Sequence, residues 1–255
     1  MINDRVPVIL MYHSITPYQE DPYGITVRPE RFDQQMRWLS KRGRKGTSVQ
    51  ALLDAWRHGA ADGLVGLSFD DGYADTADYA LPILQRYGFT GTVFALAGRL
   101  GGDNAWDPEG PRKTLLTADQ LRQLAGAGLE IGSHGLLHVR LPAVEDGQLA
   151  SELSESRRIL QEISGQEITG FCYPWGDVDE RSVNGVQEAG YHYGCAVYRT
   201  DFTGDYAFPR FNITDADSPC HLWRRGLRYW IRWEYQGPGS GMLVKAAKWR
   251  RSLAN

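Results

Sequence analysis

The 255-residue sequence has few cysteines and no long apolar run. Its three cysteines stand at positions 172, 195 and 220, and this odd, scattered set argues against a disulfide framework and against a cysteine-rich metal site. No segment approaches the roughly 18 apolar residues of a membrane-spanning helix, and the N-terminus lacks the basic and apolar regions of a secretory signal. We therefore expect a cytoplasmic protein.

Positive charge is concentrated at the C-terminal end. Residues 220–255 hold eight Lys or Arg against one acidic residue, a net charge of +7. Because the whole chain has a net charge of −3, residues 1–219 have a net charge of −10. Six Trp and Tyr residues are interleaved among these charges. Such a segment can contact an anionic membrane at its inner face, or form a covering helix followed by a solvated tail. No recognisable nucleic-acid-binding fold accompanies it, so we expect no nucleic-acid partner.

The rest of the chain alternates apolar strand patterns with amphipathic helix patterns. The patterns predict strands at 6–11, 64–69, 90–96, 129–132, 169–173 and 192–197, and helices at 29–42, 75–87, 117–127, 147–164 and 180–189. This alternation favours an α/β fold with parallel strands and helical crossovers, formed as one domain over residues 1–219. Segment 98–112 is predicted as a loop, in which Trp106 either stacks on a ligand or anchors the loop.

Two aspartates and two histidines follow predicted strands. Asp70 and Asp71 come directly after the strand at 64–69, and His134 and His138 follow the strand at 129–132. Imidazole nitrogen and carboxylate oxygen suit zinc and similar divalent ions, and three protein ligands leave a position open for water or substrate. Neighbouring residues at a strand end point to opposite sides, so Asp70 and Asp71 are expected to do different jobs.

These residues belong to three motifs that occur in a recognisable order: SFDDG at 68–72, SHGLLH at 133–138 and FCYPWG at 171–176. In these motifs, and over about residues 6 to 213, the chain resembles the polysaccharide deacetylase family, also called the NodB-homology domain or carbohydrate esterase family 4. The resemblance implies a distorted (β/α) barrel, NodB-like, of seven strands. It also implies a hydrolase that removes N-acetyl groups from an N-acetylated sugar in a polysaccharide or glycan precursor.

The resemblance assigns roles to individual residues. Asp71, His134 and His138 would hold a divalent metal, with zinc as the first choice and Co2+, Ni2+ or Mn2+ as alternatives. Asp70 would be the general base toward a water activated by the metal. In the third motif, Tyr173, Pro174 and Trp175 would form the substrate and oxyanion site, the backbone N–H of Trp175 stabilising the oxyanion and the two aromatic rings able to stack on a sugar.

The chain departs from the usual family pattern at two positions. Cys172 stands where the third motif usually has an arginine that orients the base, and Arg210, after the last predicted strand, is our candidate substitute, with an ordinary surface arginine as the alternative. The usual C-terminal strand ending in Leu-x-His has no match. The apolar N-terminal strand ends at His13, and because the first and last strands of a closed barrel are neighbours, His13 is our candidate general acid. A packing or capping histidine is the alternative.

Three functions remain open. A metal-dependent N-deacetylase is the first, since every metal and base position is filled. An O-acetyl esterase or another amide hydrolase of the same fold is the second. A glycan-binding protein without turnover is the third, although a pure binder needs no base at Asp70. A cytoplasmic enzyme of this kind would act on a nucleotide-linked or lipid-linked glycan precursor.

Overall fold

The computed structural model describes residues 7–218. The strands in this part are β1 (Ile9–Tyr12), β2 (Ser14–Ile15), β3 (Thr26–Val27), β4 (Lys45–Thr47), β5 (Leu64–Phe69), β6 (Thr92–Ala95), β7 (Glu130–Ser133), β8 (Gly170–Cys172), β9 (Tyr193–Cys195) and β10 (Phe211–Asn212). The α-helices are α1 (Pro29–Lys41), α2 (Val49–Arg57), α3 (Leu81–Tyr87), α4 (Ala118–Gly126), α5 (Asp146–Ser164) and α6 (Glu180–Glu188).

Seven strands form one curled parallel sheet with helices on its outside. Their order is β10-β1-β5-β6-β7-β8-β9, and β4 pairs with the first half of β5. A parallel bridge between Cys195 and Phe208 joins the end of β9 to the segment leading into β10, so the two edges of the sheet meet. This topology confirms the predicted α/β fold with a seven-stranded, distorted (β/α) barrel.

Most boundaries follow the sequence pattern closely. Helices α1, α4, α5 and α6 begin and end within one residue of the predicted ranges, and β5 matches its range. In α1, the buried Phe32, Met36 and Leu39 repeat at helical spacing, and Pro29 occupies the first turn. The predicted helix at 75–87 is wrong in part, because Thr76–Ala80 forms a π-helical turn before α3 begins.

Helix α2 closes the end of the barrel at the first residues of the strands. Its Val49 N–H donates to Thr92 Oγ1 at 2.8 Å, and its Gln50 N–H donates to Glu130 Oε2 at 3.1 Å. Glu130 also accepts from Thr92 Oγ1 at 2.6 Å and from the Tyr193 hydroxyl at 2.7 Å. Burial raises the pKa of Glu130 despite these donors. The opposite end of the barrel, at the C-terminal ends of the strands, is the end where barrels of this class carry their catalytic residues.

The basic segment predicted at 220–255 lies outside the described residues, and its membrane contact stays a prediction, as does the cytoplasmic location. Across residues 7–218, no helix is both long enough and apolar enough to span a membrane.

Candidate functional site

The strand ends bring the predicted site residues to one edge of the sheet. Asp70 and Asp71 follow β5, and His134 follows β7. Residues Tyr12 and Phe69 are register partners, and the Asp70 N–H donates to the Tyr12 carbonyl at 2.9 Å. His13 therefore leaves β1 beside Asp70, at the edge where barrels of this class carry their catalytic groups.

Three ligand atoms converge at the centre of this edge. Asp71 Oδ1 lies 3.1 Å from His134 Nε2 and 3.3 Å from His138 Nε2, and all three side chains are buried. Burial by itself raises the pKa of Asp71, but hydrogen bonds from the two imidazoles outweigh it and hold the pKa well below its usual range. Asp71 is thus a carboxylate at neutral pH, which is the form that binds a metal.

The two imidazoles are oriented by different contacts. His134 Nδ1 donates to the Cys172 carbonyl at 2.7 Å, which fixes the ring with Nε2 directed at the ligand cluster, the orientation in which the neutral ring would offer its Nε2 lone pair to a metal. The His138 ring is packed between two indoles, with centroids 4.5 Å from Trp106 and 4.8 Å from Trp175. Its Nδ1 is buried and has no hydrogen-bond partner among residues 7–218. Contacts with these two tilted rings therefore take the place of a hydrogen bond in holding His138.

The backbone is strained at this site. In the described part of the chain, the non-glycine residues with positive φ are Asp71 (68°), His138 (62°) and Trp175 (62°). A left-handed conformation costs an ordinary L-residue roughly 1–2 kcal/mol, and such strain is concentrated at functional sites. Gly72 continues the turn at φ 69°, where an added Cβ would lie 3.1 Å from Ala95 Cα. The motif needs glycine there both for its φ and for the close approach.

The donor set fits a divalent metal. Ligand atoms held about 2.0–2.2 Å from a tetrahedral zinc ion are about 3.4 Å apart, close to the separations that Asp71 Oδ1 makes with the two imidazoles. One carboxylate oxygen and two imidazole nitrogens are ligands of zinc, cobalt, nickel and manganese alike, so the geometry does not select among these metals. Three protein ligands would leave a coordination position for water or substrate.

Asp70 is paired with Arg210 rather than with the ligand cluster. Arg210 Nη1 donates to Oδ1 at 2.6 Å and Nη2 donates to Oδ2 at 2.8 Å, and the Arg210 side chain is fully buried. Burial raises the pKa of Asp70, but the charge and hydrogen bonds of Arg210 more than compensate, so the pKa is lowered. The alternative of a surface arginine is thus wrong. The orienting role remains a prediction.

Cys172 contacts both members of this pair. Its Sγ lies 3.4 Å from Asp70 Oδ2 and 3.0 Å from Arg210 Nη2. Burial raises the pKa of Cys172 to about 11, so the thiol is protonated at neutral pH. The position where the family usually has an arginine therefore holds a small neutral group, and the Arg210 guanidinium lies directly against it.

His13 has no competing structural partner in the described part of the chain. Its Nδ1 is buried and makes no hydrogen bond with any of residues 7–218. A capping histidine would use this nitrogen in a hydrogen bond, so Nδ1 makes no cap here, and the role of His13 as general acid stays a prediction.

The third motif corrects one expectation. Tyr173 is 1% exposed, and its hydroxyl donates to the Tyr206 carbonyl at 2.8 Å, so its ring belongs to the core and cannot stack on a sugar. Pro174 is also buried. Trp175 is half-buried; its Nε1 donates to the His138 carbonyl at 3.4 Å, and the Arg140 guanidinium lies 4.7 Å from its ring. Of the three, Trp175 alone can present side-chain surface to a ligand.

Two further residues contact either a ligand histidine or the loop that joins the two ligand histidines. Trp106 packs one face on His138, so the loop at 98–112 lines the site. Glu152 on α5 accepts hydrogen bonds from the loop between His134 and His138, and the sequence reasoning had not singled it out. The sequence feature that could have revealed Glu152 is its charge at a helical position on the same buried face of α5 as Leu149 and Ser156.

Comparison with known sequences agrees with this site. The family model described as polysaccharide deacetylase matches residues 58–194. YxkH of Bacillus subtilis (strain 168) is 28% identical over 73% of this chain and 62% of its own length, so this chain spans less than two thirds of that relative. The poly-beta-1,6-N-acetyl-D-glucosamine N-deacetylase of Staphylococcus aureus is 24% identical over 78% of this chain and 71% of its own length.

Solved structures share the fold. The Streptococcus pyogenes deacetylase PplD, solved with acetate, superposes with a TM-score of 0.74 at 23% identity, covering 86% of this chain and 96% of that one. A de-N-acetylase from Aggregatibacter actinomycetemcomitans gives a TM-score of 0.71 at 22% identity, covering 85% and 98%. The family model matches more than half of the sequence, and its motifs meet at one edge of the barrel: the chain belongs to the polysaccharide deacetylase family.

Proposed function

We propose that this chain is a metal-dependent hydrolase that removes N-acetyl groups from an N-acetylated sugar in a polysaccharide or glycan precursor. The observation that carries the proposal is the convergence of Asp71, His134 and His138 beside a second buried carboxylate, Asp70. A structural metal site would need no such carboxylate, whereas hydrolysis needs a base within reach of the attacking water. The activity named for the Staphylococcus aureus relative supports the same substrate class.

The protein groups divide the proton transfers between them. A divalent ion held by the three ligands would supply Lewis acidity and lower the pKa of a bound water to about 7. Asp70 accepts the proton of the attacking water at a carboxylate oxygen, and Arg210 holds that carboxylate in place and ionised. The backbone N–H of Trp175 donates to the carbonyl oxygen as charge develops on it. His13 donates a proton to the leaving sugar nitrogen, and the products are acetate and the free amine.

Zinc is the metal we propose first. Two neutral imidazoles and one carboxylate form a common zinc donor set with an open position, while cobalt, nickel and manganese accept the same ligands. Metal content by elemental analysis of the protein as purified, repeated after zinc is supplied, identifies the ion.

The alternative proposals differ in the bond that is broken. An O-acetyl esterase would use the same groups on a better leaving group, and would need His13 less. A glycan-binding protein would keep affinity for the sugar and release no acetate. Asp70 favours a catalyst, because a protein that only binds a glycan needs no base, and Arg210 keeps this carboxylate ionised.

Acetate release tests the proposal. The 255-residue protein, loaded with zinc, is incubated with β-1,6-linked N-acetylglucosamine oligomers and in parallel with an O-acetylated glycan. Release from the N-acetylated oligomer that disappears in the His134→Ala, His138→Ala double variant supports the proposal. Release from the ester alone favours the esterase, and oligomer binding without release favours the binding protein. Absence of bound metal in the wild-type protein even after zinc loading would reject the metal-dependent mechanism.

A further inference from the structure

A buried glutamate holds the loop that joins the two histidine ligands. Glu152 lies on α5, is 2% exposed, and directs its carboxylate at the segment 135–137. Its Oε2 accepts from the Leu136 N–H at 2.6 Å and from the Leu137 N–H at 3.2 Å. These two amides lie midway between His134 and His138, so one carboxylate oxygen fixes the middle of the loop.

The opposite side of the same loop is held by backbone contacts. The Gly135 carbonyl accepts from the Ala97 N–H at 3.0 Å, and the Leu136 carbonyl accepts from the Gly98 N–H at 3.1 Å. The loop therefore has its carbonyls bonded to the turn after β6 and its amides bonded to Glu152. Removing the carboxylate would leave one of the two sides without its anchor.

The glycine of the loop is matched to the carboxylate. Gly135 has a φ of 84°, and an added Cβ there would lie 2.8 Å from Glu152 Oε2. A side chain at position 135 would therefore displace the carboxylate as well as strain the backbone. The close approach places the carboxylate against the backbone of the residue that follows His134.

Helix α5 provides a fixed base for this contact. The Ser133 hydroxyl, at the end of β7, donates to Ser156 Oγ at 2.8 Å, and the Tyr191 hydroxyl donates to the Leu153 carbonyl at 2.9 Å. Glu152 thus extends an existing attachment between α5 and β7 to the loop that follows β7.

The carboxylate has no basic partner that would explain its burial. Within residues 7–218, no Lys, Arg or His forms an ion pair with Glu152. A buried carboxylate needs strong compensating donors, and bonds from backbone amides to a charged oxygen are of that kind. Its described partners are those two loop amides, so its contacts concern the geometry of the ligand loop.

We propose that Glu152 is a positioning residue that holds segment 135–137 so that His134 Nε2 and His138 Nε2 converge on the same ion as Asp71. It acts through the loop and touches neither the ion nor the substrate. His138 depends on it most, because His138 has a left-handed φ of 62° and no hydrogen bond on Nδ1 among the described residues. This inference rests on the proposed metal-dependent function.

Zinc affinity tests the inference without reference to activity. The dissociation constant for zinc is measured by competition with a chromophoric chelator in wild-type protein and in Glu152→Ala, Glu152→Asp and Glu152→Gln. Loss of a group that orients a metal ligand typically weakens metal binding about 10- to 100-fold, and we expect this for Ala and for the shorter Asp. The Gln variant keeps an oxygen at the same reach and is expected to bind zinc nearly as the wild type does. Glu155→Ala, an exposed glutamate on the same helix, is the matched control.

Thermal unfolding with and without zinc separates positioning from general stability. If Glu152 positions the ligands, zinc raises the melting temperature less in Glu152→Ala and Glu152→Asp than in the wild type. Equal zinc affinity in wild type and both variants, with the same loss of melting temperature in metal-free and zinc-loaded protein, would overturn the inference and leave the proposed function intact. If Glu152→Ala does not fold, a wild-type zinc affinity in Glu152→Asp would by itself overturn the inference. A wild-type protein that binds no zinc would overturn both.

Discussion

Arg210 pairs with Asp70 across 140 residues of sequence, and both oxygens of the carboxylate are engaged. The contact depends on the strand order of the barrel. Strand β1 lies between β10 and β5, so the residue before β10 reaches past β1 toward the residue after β5. The usual family arrangement would bring an arginine to the base from position 172, on β8. In this chain the guanidinium that contacts Asp70 belongs to Arg210, directly before β10.

Removing this arginine is predicted to damage both stability and activity. Arg210→Ala leaves Asp70 buried without its counter-charge, and breaking a buried pair in this way typically costs about 3–5 kcal/mol of unfolding free energy. Arg210 lowers the pKa of Asp70, so without Arg210 the carboxylate protonates at higher pH. The acid limb of the pH–rate profile should therefore shift to higher pH. Urea unfolding and kcat/KM from pH 4 to 8 measure the two effects.

The control for this variant is Arg140→Ala. Arg140 is also ion-paired, with Asp177, but both side chains are about 40% exposed, at 39% and 43%. A pair that faces water contributes only about 0–1 kcal/mol, so this variant should unfold almost as the wild type does. Equal destabilisation in the two variants would contradict the distinction between the buried and the exposed pair.

Moving the arginine back to position 172 is predicted to restore part of the lost activity. In the Cys172→Arg, Arg210→Ala double variant, a guanidinium on β8 enters the space beside Asp70, where Cys172 Sγ now lies 3.4 Å from Oδ2. We expect the acid limb of the pH–rate profile to return toward its wild-type position, and kcat/KM to exceed that of Arg210→Ala about tenfold or more. A double variant no better than the single one would show that the base needs the approach from β10.

Substitutions of the two neighbouring aspartates are predicted to affect different properties, acetate release for Asp70 and zinc affinity for Asp71. Asp70→Asn keeps the shape of the base but cannot take a proton, so acetate release should fall about 10²- to 10⁴-fold while zinc affinity stays at the wild-type value. Asp71→Asn removes a charged ligand, and zinc affinity should fall by more than the roughly 10- to 100-fold typical of a change outside the ligand set. Chelator competition and acetate release on the same preparations make the comparison. Similar zinc affinities in the two variants would contradict the division of roles.

The sequence predicted the ligand cluster because each ligand lies in a short local motif at a strand end. The aspartate pair and the two histidines could therefore be placed by counting residues from predicted strands, and the resemblance to the family chose Asp71 as the ligand and Asp70 as the base. Arg210 could be nominated only from its position after the last strand, since its partner depends on which strands become neighbours. The direction of the Tyr173 ring could not be read from the sequence, because its hydroxyl bonds to the carbonyl of Tyr206, a residue 33 positions away that only the folded chain brings near.

The short strands and Glu152 escaped prediction for different reasons. Strands β2, β3 and β10 contain two residues each, too few for an alternating pattern to appear. Glu152 did leave a signal, as an acidic residue among the buried positions of α5. A charge on the buried face of an amphipathic helix predicts a specific polar partner, but the identity of that partner requires the packed structure.

Substitution of His13 is predicted to slow hydrolysis more when the leaving group is poorer. An amine must be protonated as it departs, so His13→Ala should lower acetate release from the N-acetylated sugar about 10²- to 10⁴-fold and remove the alkaline limb of the pH–rate profile. A phenolate leaves without a proton, so hydrolysis of an aryl acetate by the same variant should stay close to the wild-type rate. His58→Ala, which alters an exposed histidine at the end of α2, is the control. An unchanged alkaline limb in His13→Ala would reject the general-acid assignment.

Glu130, at the closed end of the barrel, is predicted to make stability fall as pH rises. Its pKa is raised by burial above the ordinary value of 4.5. Between the ordinary and the raised pKa the folded protein binds more protons than the unfolded chain, so the free energy of unfolding decreases with pH, by at most about 1.4 kcal/mol per pH unit for one group. Below the ordinary pKa both states are protonated and this contribution is fully present.

Glu130→Gln isolates that contribution, because the amide does not titrate. The stability of the wild type relative to the variant, measured by urea unfolding from pH 4 to 8, should be greatest at the acid end and decline to a plateau as Glu130 ionises. All other groups are common to both proteins and cancel in the difference. A difference that grows with pH would mean that the Tyr193 hydroxyl, Thr92 Oγ1 and the Gln50 N–H stabilise the Glu130 anion by more than burial penalises it.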